Sequence, residues 1–282
     1  MKLLIIIPAH NEEKQLAACL DSFVQQHVTP DALLLVNDNS TDKTLEIAET
    51  YSQKHAWIKV ISNTSSEAHI PGKKVVDTFN YGVAQNKEPY DLIGKFDADI
   101  ILPPNYFEEV VKAFIQNPKL GMCSGLLYIK KEDAWVYEPI ANTTHIRGPI
   151  KLYSKSCYTA IGGLRASIGW DTVDELLAQY HGFKTLTLTK LHAKHLRPTG
   201  TAYHKKAILM QGEALYKMRY GFVLTCIASA KMAAKSKKPK AFFHNLKGYF
   251  KAKKQQLPFM VNTQEGAFIR KLRWKAIKAK LF

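Results

Sequence analysis

Over the first hundred residues, short apolar runs alternate with segments of helical period, and this alternation restricts the possible folds more than any other feature. Leu3–Pro8 is continuously apolar, as in a parallel strand covered on both faces. Ala32–Val36, Trp57–Ser62 and Leu92–Phe96 read as further strands. Between them, 12–26 carries Leu16, Leu20 and Phe23 at helical spacing. The next helix carries Leu45, Ala48 and Tyr51, with Ser40 as its expected N-cap, and 73–84 turns Val76, Phe79 and Val83 inward. Strand-helix alternation predicts an α/β fold, a mostly parallel, Rossmann-like sheet flanked by helices. Beyond residue 100 the pattern is less regular. It gives a helix over 103–117, strands over 121–128 and 150–153, a helix over 171–180 and a strand over 185–189.

Sheets of this kind bind ligands at the carboxyl ends of their strands. Those ends hold Pro8-Ala9-His10-Asn11-Glu12, Asn37-Asp38-Asn39-Ser40 and Asp97-Ala98-Asp99. Carboxylates at i and i+2 where a strand runs out point the same way. Asp97 and Asp99 thus suit a hard divalent cation, Mn²⁺ or Mg²⁺, that would clamp a diphosphate. Asp38 at a strand end can accept the ring N–H of uracil, which adenine lacks. The bland alternative is helix capping by the Asn-Ser-Thr-Asp turn. Glu12 is a pocket candidate whose bland alternative is a first-turn helix acid favoured by the dipole.

Hydrophobic content of 46% and charged content of 23% are ordinary for a folded globular chain, and 282 residues allow one large domain with an appendage. The four cysteines form no Cys-x-x-Cys pair, which argues against a zinc site or disulfide framework and fits a reducing compartment. No secretory leader and no run of about 20 apolar residues is read, so a cytoplasmic location is expected. The net charge of +16 is uneven. Residues 231–282 hold fifteen Lys or Arg against Glu265 alone, a balance of +14 that leaves +2 for residues 1–230. That basic stretch is interleaved with Phe242, Phe243, Tyr249, Phe250, Phe259 and Trp274. An anionic membrane surface at the inner face of a membrane is the expected partner.

The pieces Ile7-Pro8-Ala9-His10-Asn11-Glu12-Glu13, Val36-Asn37-Asp38-Asn39-Ser40-Thr41-Asp42, Gly72-Lys73 with Asn80-Tyr81-Gly82, Phe96-Asp97-Ala98-Asp99, and Gly162-Gly163 followed by Gly169-Trp170-Asp171 are each weak alone. In this order and spacing, over residues 2–200, the chain resembles the inverting family 2 glycosyltransferases of GT-A fold. The resemblance implies transfer of a sugar from a nucleotide-diphospho-sugar to an acceptor hydroxyl, with inversion. It places Asp38 at the base, usually uracil, hence a UDP-sugar donor. Pro8, Ala9 and Glu12 would line the nucleoside pocket, and Lys73 would meet the base or diphosphate. Asp97 and Asp99 become the metal and ribose pair. His195 becomes a further metal ligand, with His192 as rival, and Arg197 faces the diphosphate. Asp171 becomes the catalytic base, with Asp174 and Glu175 as rivals. Two departures stand out: Asn37-Asp38 where two acids are usual, and Trp170 where a Glu usually precedes the base. The GT-A domain is expected over 1–205, as a nucleotide-binding half 1–100 and an acceptor-binding half 101–205. A basic helical extension follows over 206–282. The acceptor is expected to be a saccharide, plausibly lipid-linked, in surface polysaccharide assembly.

Competing readings are weaker. Sugar nucleotidyltransferases share a related sheet but hold a triphosphate with a Gly-rich, basic loop after the first strand, where this chain has an acidic, glycine-free one. A nucleic-acid-binding role, including one on a non-catalytic GT-A-like body, would rest on the basic extension. No recognition motif is present, so only nonspecific, salt-sensitive binding is expected. The Gln-x-x-Arg-Trp signature of processive relatives is missing, since Arg273-Trp274 lacks the Gln.

Overall fold

A computed structural model describes residues 1–65, 72–198 and 206–281. The first half runs β1 (Leu3–Ala9), α1 (Leu16–Val24), β2 (Ala32–Asp38), α2 (Thr44–Lys54), β3 (Ile58–Asn63), α3 (Lys73–Gln85), β4 (Leu92–Phe96) and β5 (Ile100–Ile101). The second half adds α4 (Tyr106–Gln116), β6 (Leu120–Lys131), β7 (Ala134–Tyr137), β8 (Ile150–Ser154), α5 (Lys155–Ala160), α6 (Trp170–Tyr180) and β9 (Lys184–His195). The described residues form one sheet in the order β3-β2-β1-β4-β8-β6-β9-β5, with β7 paired to β6 off this path. The pairs β3–β2, β2–β1, β1–β4 and β6–β9 are parallel, whereas β8 runs antiparallel to both β4 and β6.

The apolar runs become strands because both faces are covered. Ile5, Ile7, Leu33 and Leu35 pack with α1 and α2 on one face, while Leu4, Ile6 and Val36 pack with Val76 and Phe79 of α3 on the other. Each such side chain contributes about 1.5–3 kcal/mol through burial. At the carboxyl ends of β1 and β2 the chain turns sharply through Asn11 and Asn39, both at φ 54°, a left-handed conformation that asparagine tolerates. The Asn11 side-chain Oδ1 accepts the Thr41 N–H at 2.8 Å, which ties the two exits together.

That tie changes one expected cap. The Ser40 hydroxyl accepts the Asn11 N–H at 3.1 Å rather than starting a helix. α2 begins at Thr44, whose N–H is accepted by Asp42 at 3.0 Å. β6 and β9 are longer than expected because they pair along most of their length, with register shifts that let the pairing continue. The short β5, β7 and α5 were not anticipated.

The C-terminal segment forms α7 (Lys206–Lys217), α8 (Gly221–Ser236), α9 (Lys240–Lys254) and α10 (Thr263–Leu281). Within the basic helical extension, the stretch 230–256 is folded and partly buried. A Cβ on Gly212 of α7 would collide with the Asn245 backbone of α9, and one on Gly248 would collide with the Leu209 backbone of α7. The two backbones therefore touch with no side chain between them. Ala214, Leu215, Met218, Leu224, Val261 and Ile269 join the same buried cluster as Leu4, Ile6 and Trp170. The expected boundary at residue 205 lies outside the described residues. No helix among the described residues is long and apolar enough to cross a membrane.

Candidate active site

The carboxyl ends of β1, β2 and β4 open into a cleft of about 510 Å³, closed opposite by the 148–149 turn and the start of α6. Pro8, Ala9, Glu12, Asp38, Asp97, Asp99, Asp171, His195 and Arg197 all line it. Lys73 does not. Its ammonium pairs with Asp77 at 2.5 Å on the exposed side of α3. One residue further along the helix, Lys74 lines the cleft and lies 3.8 Å from Asp38.

Asp38 is buried, and its carboxylate is already crowded. Asn63 Nδ2 at 3.3 Å and the Ser65 N–H at 3.2 Å donate to one oxygen. The hydroxyls of Ser65 and Thr78, each at 2.9 Å, donate to the other. Four donors fill the roughly four lone-pair positions of a carboxylate.

Asp97, Asp99 and His195 form the tightest candidate metal centre among the described residues, with one ligand atom from each within 4.8 Å of the others. β5 pairs with β9 and sets Ile100 opposite His195, so the sheet register places the imidazole against the end of the Asp-x-Asp. His195 Nε2 lies 3.6 Å from Asp99 Oδ1. Its Nδ1 faces Glu138 at 3.4 Å, and Glu138 is held by Arg147 at 3.0 Å. A carboxylate on one imidazole nitrogen leaves the other free for a metal. Asp99 Oδ1 is buried without a hydrogen-bond donor. A buried carboxylate oxygen in that state carries an energetic cost that a cation relieves, so the residues fit Mn²⁺ or Mg²⁺. Burial, together with the nearby Asp97 charge, pushes the Asp99 carboxyl up, against the pull of His195, Arg197 and Lys95.

Internal cations already balance part of this charge. The buried Lys95 ammonium pairs with Asp97. Arg197 bridges Glu12 and Asp99, the latter at 3.2 Å. Burial pushes the Glu12 carboxyl up to about 7 despite the Arg197 pair.

The far wall centres on Asp171. Gly169, at φ 81°, turns the chain into α6, and Ala214 of α7 backs it so closely that a Cβ there would sit 3.2 Å away. The next two residues, Trp170 and Asp171, therefore face the cleft. His145 sits between two acids, with Nδ1 2.6 Å from Glu175 and Nε2 3.8 Å from Asp171. Burial alone would lower the His145 pKa, but the bonds to Asp171 and Glu175 outweigh it and raise it to about 9. Burial would likewise raise Asp171. His145 and Lys151 reverse that and hold the carboxyl down at about 2. Asp174 is buried, and Lys151 at 2.8 Å and Tyr153 at 2.5 Å occupy it. Neither Asp174 nor Glu175 lines the cleft. Lys95 and Lys151 are opposite one another across β4 and β8, and each ammonium lies 5.3 Å from the Trp170 ring centroid.

His192 lies away from the metal candidates, stacked on Tyr128 with centroids 4.1 Å apart. The sequence reasoning missed His145, Glu138, Arg147, Lys95 and Lys151. For the two lysines a signal existed, because each interrupts an otherwise apolar strand, and a buried ammonium requires a partner.

Among the described residues, a nine-stranded α/β sheet with a carboxylate-histidine cluster at its strand ends has the architecture of the GT-A fold. The sequence matches the family model "Glycosyl transferase family 2" over residues 4–165, and the chain belongs to that family. Among solved structures, the mannosyltransferase PcManGT from Pyrobaculum calidifontis, in complex with GDP-Man and Mn²⁺, matches at TM-score 0.60 and 14% identity, over 98% of this chain and 80% of that one. S. aureus TarS 1-349 in complex with UDP-GlcNAc matches at TM-score 0.58 and 18% identity, over 89% and 73%. At these identities the likeness is one of fold. The probable glycosyltransferase YdaM of Bacillus subtilis is 35% identical over 100 residues, 35% of this chain and 23% of that protein. A poly(ribitol-phosphate) beta-glucosyltransferase of Bacillus spizizenii is 38% identical over 66 residues, 23% of this chain and 10% of that protein. The match thus spans less than a quarter of either relative's length.

Proposed function

We propose that this chain is a metal-dependent inverting glycosyltransferase that moves a sugar from a nucleotide-diphospho-sugar to an acceptor hydroxyl. The observation that carries the reading is the meeting of Asp97, Asp99 and His195 with Asp171 in one cleft. Asp97, Asp99 and His195 would hold Mn²⁺ or Mg²⁺, which supplies Lewis-acid neutralisation of the leaving diphosphate. Arg197 lies beside the same carboxylates and adds a fixed positive charge for the phosphates. Pro8, Ala9 and Glu12 line the nucleoside side of the pocket.

Asp171 is the proposed general base. About a third of its side chain remains open to solvent, unlike the occupied Asp174. Asp171 is ionised at neutral pH and so has an oxygen lone pair to accept the acceptor proton as oxygen attacks. Inversion follows if that attack comes from the face opposite the diphosphate. Trp170, at the same wall, offers an aromatic face to a sugar ring.

UDP is the proposed nucleotide, with Asp38 accepting the uracil N–H. Its four donors mean that one must yield to the base. The acceptor is proposed to be a lipid-linked saccharide in cell-envelope glycan synthesis, at the cytoplasmic face of a membrane. The names of two relatives, chondroitin synthase and poly(ribitol-phosphate) beta-glucosyltransferase, support the glycan-polymer part of that choice.

The test is calorimetric titration of UDP, GDP, dTDP and their sugar conjugates with and without Mn²⁺. Metal-dependent binding of one nucleotide, lost in Asp99→Ala, is expected. Absence of binding in every metal condition would overturn the reading.

A further inference from the structure

The exposed side of the C-terminal helices is built unlike the rest of the surface. Residues 221–254 contain nine lysines and no acid. α9 turns Ala241, Asn245, Gly248, Tyr249 and Ala252 inward. At 100° per residue, Phe243, Lys247, Phe250 and Lys254 lie on the opposite side of the same helix, about 180° away. Phe243 is 70% exposed and Phe250 is 49% exposed. These phenylalanines are therefore not core residues left partly uncovered; the helix has a separate inward face, already filled.

α8 contributes the same chemistry. Phe222, Val223 and Ile227 are exposed, and Lys231 follows Ile227 by one turn. The rings of Phe222 and Phe250 meet with centroids 5.7 Å apart, so the start of α8 joins the aromatic row of α9. Exposed aromatic and aliphatic side chains flanked by lysines, without acids, match the boundary between headgroups and acyl chains of an anionic bilayer. Val223 and Ile227 argue for lipid over nucleic acid, because aliphatic side chains offer no stacking surface to bases. At its end, α8 donates from Lys235 Nζ to the Ile140 carbonyl at 2.9 Å. Ile140 lies in the loop that carries His145 and Arg147, so α8 is tied to the loop behind the far wall of the cleft.

We propose that the outward face of α8 and α9 docks on an anionic lipid surface, with Phe222, Val223, Phe243 and Phe250 entering the headgroup boundary and Lys231, Lys247, Lys251 and Lys254 pairing with lipid phosphates. This locates membrane contact on a folded two-helix face that begins before residue 231, rather than on the whole 231–282 segment. It deepens the lipid-linked acceptor reading. Its test needs no donor, metal or turnover, so the two fail separately.

The experiment is vesicle flotation of the full chain with phosphatidylglycerol-rich and with pure phosphatidylcholine vesicles, beside sedimentation velocity without lipid. The chain should float with the anionic vesicles and stay down with the zwitterionic ones. The triple variant Phe222→Ser, Phe243→Ser, Phe250→Ser should bind about ten-fold more weakly with an unchanged unfolding midpoint. Lys247→Gln and Lys251→Gln should each cost about five-fold. Failure of the wild type to float, or equal flotation of the triple variant, overturns the proposal. So does a triple variant that turns a lipid-indifferent dimer into a monomer, which would make the face a self-association surface. Capture by a DNA oligonucleotide with no vesicle binding overturns it as well.

Discussion

Replacing His145 by Gln tests the electrostatics of the acceptor wall directly. In the folded chain its pKa is raised from 6.5 to about 9 by Asp171 and Glu175, against the opposing effect of burial. At 1.36 kcal/mol per pH unit, the full shift corresponds to about 3 kcal/mol. The His145 side chain is 21% exposed and that of Asp171 is 35% exposed, so solvent screening reduces this to about 1–2 kcal/mol. The folded pKa lies above the unfolded value, so this stability is fully present below about pH 6.5 and is lost as pH rises through 9. Asp171, held down at about 2 by the same contact, sets the acid limit. Its share is present above about pH 4 and is lost as pH falls toward 2. Urea unfolding of wild type and His145→Gln should therefore differ by about 1–2 kcal/mol at pH 6 and converge by pH 9.5. A gap that is constant with pH, or that widens above pH 7, would refute a protonated His145 clamped between two carboxylates.

Three further outcomes are expected. Lys74→Met should weaken nucleotide-sugar binding about ten-fold through loss of a cleft cation, whereas Lys73→Met should leave it unchanged; calorimetry separates them. Asp171→Asn should retain donor binding while transfer and donor hydrolysis fall by about 10²-fold or more, read by nucleotide release. Gly248→Val should destabilise the whole chain by more than about 3 kcal/mol, because α9 cannot move off α7 without exposing the shared core. A scanning-fluorimetry midpoint equal to wild type would show that the helices are not seated as described.

The strands and helices of the first half were legible because long apolar runs and helical periods do not depend on distant partners. The polar clusters at the strand ends followed from topology, which brings Glu12, Asp38 and Asp99 to one edge. What escaped the sequence reading depends on phase or on distance. Lys73 and Lys74 differ by one residue, a rotation of about 100° on a helix, which decides which of them reaches the cleft. Ser40 and Asp42 competed for one cap, and the outcome turned on the loop of Asn11, some thirty residues earlier. His145 sits in a stretch without periodicity, and its partners on α6 come to it only through the tertiary fold. The basic C-terminal segment was legible as a helical extension, but not how it packs, because charge dominates its composition. Their small inward residues, Gly212 and Gly248 above all, become informative only once the two helices are opposed.

That glycine crossing has a mechanical consequence. α9 rests on α7 with backbone against backbone, and α7 in turn backs the Gly169 turn that presents Asp171. Backbone contact thus links the outward phenylalanines to the helix behind Asp171, the proposed general base, so on the proposed lipid surface the height of the cleft would be set when the chain folds. Such a mount would work as a ruler: among the proposed bilayer-anchored acceptors, those whose hydroxyl stands at that height would be reached, and shorter or longer ones would not.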